Sequence, residues 1–163
     1  MVDFSHLAKL DVNAASEAEF FFEDIPGEPS VWFKPMTDAN PDYLNERVRL
    51  AVERAEHSNK ETKAQRRKRV LSADQLEEDR ELDRVLLART CALRWGTAPK
   101  DAKGKEPPFN EQNCYDFFKA LPSYMFDPCR GFVSNVYNFV DRASLAGSTG
   151  DETLDGGEGL GNS

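Results

Sequence analysis

Residues 107–140, PPFNEQNCYDFFKALPSYMFDPCRGFVSNVYNFV, hold six of the eleven phenylalanines and three of the four tyrosines, so most of the aromatic surface lies in one short segment. Such a segment has to form a core or grip a partner, and what precedes it has to pack against it. Its punctuation restricts the shape. Asn110 is a strong N-cap, and Phe109 and Cys114 stand at the two positions of a hydrophobic staple. The spacing predicts a helix of about ten residues whose apolar side chains are Phe117, Phe118 and Leu121. Pro122 stops it, because proline has no N–H and disfavours helix in the residue before it. Asp127-Pro128 repeats the device and predicts a last helix with the stripe Phe132, Val133, Val136, Tyr137 and Val140.

Upstream, residues 20–22 and 31–33 are aromatic and β-branched runs flanking Ile25-Pro26-Gly27-Glu28-Pro29. Pro sets φ and Gly tolerates positive φ, so this predicts a β-hairpin, which has to pack on something to be stable. Asn40-Pro41 opens a first long helix in which Leu44, Val48, Ala51, Val52 and Ala55 recur at helical spacing. Ser58 and Glu61 are placed to form a capping box that restarts it. KETKAQRRKR follows, an exposed helix or a linker with almost no apolar face. Ser72 and Gln75 form a second capping box, with Leu71 and Leu76 as its staple. The helix they open is acidic in its first half, carries Leu82, Val85, Leu86 and Leu93 as a stripe, and ends at Gly96. Residues 96–108 read as a loop or small hairpin.

The fold expected is mainly α with a β contribution: an N-terminal β-hairpin followed by a compact bundle of four to five helices. Residues 1–16 form a leader, 17–140 a single domain, and 141–163 an acidic Gly-rich tail that buries too little to order itself.

Net charge is −8, which argues against nucleic acid and anionic membranes as partners. No apolar run approaches the ~20 residues that span a bilayer, and the N-terminus lacks a signal-peptide core. A cytoplasmic setting follows. Three widely spaced cysteines make neither a disulfide framework nor a zinc site, and buried reduced thiols are expected. GxSxG, HExxH, the P-loop and GxGxxG are all absent, and His57 has no recognisable partner. Neither catalysis nor a cofactor or metal is expected. Two surfaces remain as candidates. Arg66, Arg67, Lys68 and Arg69 could meet phosphates or an acidic protein, although the run lacks aromatics for base stacking and the acidic segment after it could neutralise it. Tyr124, Phe126, Tyr137 and Phe139 exceed what two short helices need for a core and form the expected partner-binding patch.

The order of elements from Ala92 to Val140 also resembles a known family. Trp95-Gly96 after a helix, Gly104-Lys105 in a loop, and Pro108-Phe109-Asn110 with Asn113 opening a helix come first. Leu121-Pro122, Phe126-Asp127 and Asn138-Phe139 follow. This looks like the C-terminal half of tail assembly chaperones of long-tailed, siphovirus-type bacteriophages. The resemblance covers about fifty residues by motif. The basic run at 60–69 and the cysteines Cys114 and Cys129 depart from it. It implies a non-enzymatic holdase in the host cytoplasm, absent from the mature virion, that keeps the tape-measure protein soluble while the tail tube assembles. It also implies a frameshifted extension that recruits the tube protein, for which residues 147–163 suit a hinge. An amphipathic client helix would lie in a groove between the last two helices. The alternatives are a minor tail or head–tail connector subunit retained in the virion, and a nucleic-acid adaptor using residues 66–69. Self-association stays open.

Overall fold

The computed structural model describes residues 16–70 and 73–140, without the side chains of Arg69 and Val70. Most of the expected leader, the tail from 141, and the Ser72 cap with Leu71 of its staple lie outside the described residues. The expected hairpin forms. Strand β1 (Ala18–Phe21) pairs antiparallel with β2 (Ser30–Phe33), Ala18 opposite Phe33 and Phe21 opposite Ser30. Its loop turns at Ile25-Pro26-Gly27-Glu28, where the Glu28 N–H donates to the Ile25 carbonyl at 2.9 Å. Gly27 takes φ 86°, the positive φ that a Pro-Gly type II turn demands at its third residue.

Helix α1 (Pro41–Ser58) starts where Asn40 and Pro41 place it, and the Asn40 side chain accepts from the Tyr43 N–H. Its predicted stripe does not face the core. Leu44, Val48 and Val52 are exposed, as are Ala51 and Ala55, and the helix packs through Tyr43, Leu50 and Arg54 instead. Helix α2 (Lys63–Val70) is capped by Thr62 and Gln65, not by Ser58 and Glu61. The Thr62 N–H donates to Gln65 Oε1 at 2.9 Å and the Gln65 N–H to Thr62 Oγ1 at 3.3 Å, the reciprocal bonds of a capping box.

Helix α3 (Ala73–Leu86) is shorter than expected. It widens into a π-turn at Leu87–Cys91, and the chain then enters a third strand, β3 (Ala92–Trp95), that sequence periodicity reads as helix. Tertiary partners account for the change. Asn40 Nδ2 donates to the Thr90 carbonyl at 3.0 Å, and the Lys34 N–H takes the Cys91 carbonyl at 2.9 Å. With those carbonyls captured, the backbone beyond pairs antiparallel with β2, Val31 opposite Trp95 and Phe33 opposite Ala92. Strand β2 becomes the centre of a three-stranded sheet, and Val31 and Phe33 are fully buried on it.

Helix α4 (Glu111–Ala120) is capped as expected, Asn110 Oδ1 accepting from the Asn113 N–H at 2.8 Å. Helix α5 (Ser123–Ser134) departs from the sequence reading at both ends. It begins directly after Pro122, whose carbonyl accepts from Met125 and Phe126, so Pro128 lies inside it. It ends at Asn135, and residues 136–139 form a 3-10 turn that breaks the predicted stripe. The core joins the sheet face to α3, α4 and α5: Phe33 stacks on Phe118 at 6.1 Å, and Phe118 meets Phe126 at 5.8 Å.

Candidate functional site

The residues that carry the resemblance hold the fold together. The Trp95 indole N–H donates to the Pro107 carbonyl at 3.1 Å, and its ring meets Phe109 edge-on at 5.2 Å. Asn113 Nδ2 donates to the Pro108 carbonyl at 2.9 Å, clamping the loop from the other side. Gly96 sits where a Cβ would collide with the Glu19 carboxylate and the Ser30 hydroxyl. Ser30 donates to Glu19 at 2.6 Å and accepts from the Thr97 N–H at 2.8 Å. These are packing and capping jobs, so the motif reports architecture and not chemistry.

The four aromatic candidates separate. Phe126 is fully buried, because its ring lies against Phe118 on one side and takes the buried Arg84 guanidinium at 5.3 Å on the other. Phe139 is buried against Phe132 at 6.0 Å. Neither ring is presented at the surface. Tyr124 and Tyr137 are exposed, at 69% and 59%. Tyr137 stands on the 3-10 turn. Tyr124 instead joins a cleft between the first turn of α5 and the hairpin loop, lined by Phe20, Phe21, Ile25, Met125 and Pro128 with a volume of about 270 Å³.

This cleft has a definite construction. In β1 side chains alternate, so Phe20 and Phe22 turn inward and meet edge-on at 5.0 Å while Phe21 points out, 48% exposed. That period of two was the signal in the sequence for Phe21, hidden because three phenylalanines stand in a row. Pro128 has no N–H, so α5 lacks one backbone hydrogen bond to the Tyr124 carbonyl, and both residues line the cleft. Glu23 and Asp24 are exposed at the rim. Met125 adds a flexible, polarizable wall that adapts to irregular apolar shapes.

The basic run is displayed, not absorbed. Arg66, Arg67 and Lys68 are exposed on α2, and the Arg66 guanidinium donates to the Ser58 carbonyl at the end of α1. Among the described residues the acidic side chains of α3 pair elsewhere: Glu78 and Asp79 with Arg54, Glu77 with Arg80 and Arg84, and Asp83 with Arg130. They do not neutralise Arg67 and Lys68. The Arg69 side chain lies outside the described residues.

Cys91, Cys114 and Cys129 are buried and free. Burial pushes the Cys91 thiol up to about 12, and the other two rise for the same reason. Among the described residues no group of three His, Cys, Asp or Glu side chains could hold a metal ion, and no helix is long and apolar enough to cross a membrane. No family model, curated protein or solved structure matches this chain.

Proposed function

We propose that this protein is a tail assembly chaperone of a long-tailed bacteriophage, a non-enzymatic holdase for the tape-measure protein in the host cytoplasm. The observation that supports it best is the cleft built from Phe21, Ile25, Tyr124 and Met125, apolar side chains left accessible on a chain of net charge −8. A holdase needs adaptable apolar contacts for a helical client and enough surface charge to keep the complex in solution. The client's apolar residues enter the cleft, and the charged exterior keeps the complex in water. This moves the gripping surface from between the last two helices to the junction of α5 with the hairpin. The tube protein joins through an extension beyond the tail.

The test is a pull-down of the tape-measure protein by Phe21→Ala and Tyr124→Ala, beside thermal melts. Both variants are expected to retain the fold and lose client. Variants that melt early, or that hold client as well as the parent, contradict the assignment of the cleft.

A structural tail or head–tail connector subunit is the second reading, favoured by the exposed Leu44, Val48 and Val52 on α1, a stripe suited to a permanent neighbour. Presence of the protein in purified virions selects it over the chaperone.

A further inference from the structure

Helices α1 and α3 enclose an open apolar groove of about 420 Å³ on a different part of the molecule from the Tyr124 cleft. Leu50 of α1 with Leu82 and Val85 of α3 form its floor, each half-buried. Glu53, Glu78 and Glu81 stand on its rim with Arg54 and His57.

The charge of that rim follows from the ion pairs around it. Three separate clusters occur among the described residues. In the first, Glu46, Glu53 and Glu111 share Arg49 and Arg89, three carboxylates to two guanidiniums. In the second, Glu78 and Asp79 share Arg54, two to one. In the third, Glu77, Glu81, Asp83 and Asp127 share Arg80, Arg84 and Arg130, four to three. Each cluster is one carboxylate in excess, and each sends one glutamate to the groove: Glu53, Glu78 and Glu81. The rim itself carries three carboxylates against the single guanidinium of Arg54, a net negative charge beside an aliphatic floor.

We propose that this groove is a docking site for a basic amphipathic helix of the client protein. The inference rests on the chaperone reading and names the chemistry of the segment held. Two helices side by side present ridges that a third helix packs into, with aliphatic anchors at i, i+3 or i+4, and i+7. The lining runs from Leu50 to His57 on α1 and from Glu78 to Val85 on α3, so the floor spans about 11 Å and accepts about two helical turns. Lysine or arginine flanking the anchors meets the carboxylates of Glu53, Glu78 and Glu81. A helix with acidic flanks meets like charge there and is rejected, which is selection by repulsion as well as attraction.

The test uses two synthetic helical peptides of about 16 residues with the same leucine stripe, one flanked by lysine and one by glutamate, titrated by fluorescence anisotropy at ~0.05 M salt. The lysine peptide is expected to bind at least ~10-fold more tightly, and Glu53→Lys with Glu78→Lys to abolish or invert that preference. Both substitutions lie on the exposed rim, and circular dichroism checks the fold. Equal binding of the two peptides, no binding of either, or a preference that survives the rim reversal overturns the proposal. The two readings fail separately. A tape-measure protein retained by parent and rim variant alike, with no peptide preference, removes the groove and leaves the chaperone. A lysine peptide that binds as expected beside a tape-measure protein that is not retained removes the chaperone and leaves the groove.

Discussion

Single residues separate what this protein buries from what it shows. Cys91, Cys114 and Cys129 sit in the core with their thiols raised by burial, so the thiolate that reacts is scarce and covered. None of the three is expected to react with a colorimetric disulfide reagent in native buffer, and all three should react once urea unfolds the chain. A thiol that titrates at once in native protein would contradict the packing. Gly96 is a sharper test of the sheet. A methyl there meets the Glu19 carboxylate and Ser30, which is itself fully buried, so Gly96→Ala should cost about 1–3 kcal/mol in urea unfolding. Phe126 and Tyr124 form a natural pair. Phe126→Ala should cost about 3–5 kcal/mol because it empties the centre of the core. Tyr124→Ala should fall within about 0.5 kcal/mol of the parent, because its side chain is mostly in water.

At the scale of elements, the starts of helices were legible and their faces less so. Asn40-Pro41 and Asn110 begin α1 and α4 as their capping chemistry dictates, since a cap acts on its own next few residues. The hairpin was legible for the same reason: Pro26-Gly27 encodes the turn locally. Strand β3 was not, because Ala92 to Trp95 continue a helical stripe, and what turns them into a strand is the capture of Thr90 and Cys91 by Asn40 and Lys34 from far away in sequence. The last helix shows a local signal misread: Asp127-Pro128 looks like a start, but proline is also tolerated well inside α5. On α1 the stripe read from periodicity turns out exposed, and the residues covered are Tyr43 and Leu50. Val48→Ser should leave the melting temperature almost unchanged, whereas Leu50→Ala should lower it, and the reverse order would turn the helix around. Helix α1 also carries a pH response. Arg49 and Arg89 hold the Glu46 carboxyl down at about 2, against 4.5 for the free group. A depressed folded value means that this pairing stabilises the fold above about pH 4.5 and is lost as pH falls from there toward 2. Urea midpoints at about pH 6 and about pH 3 should therefore drop less for Glu46→Gln than for the parent.

The whole molecule combines a helix-rich domain, a three-stranded sheet with a buried central strand, and accessible apolar surfaces set in a strongly charged exterior. The aromatic segment at 107–140 is mostly core with an exposed edge: Phe118, Phe126 and Phe139 are buried, and Tyr124 of the expected patch lines a cleft. Composition could concentrate the aromatics but could not sort them, because Phe21 and Met125, which complete the cleft, come from opposite ends of the domain. The central claim is that this surface keeps a long helical protein in solution. The direct measurement is co-expression with the long helical protein encoded downstream, followed by purification at ~0.5 M salt, where the Debye length is only a few Å and exposed ion pairs are screened. The account predicts a soluble complex that co-elutes with the parent protein and is lost with Phe21→Ala and Tyr124→Ala. A partner that precipitates whether or not the parent protein is present would contradict it.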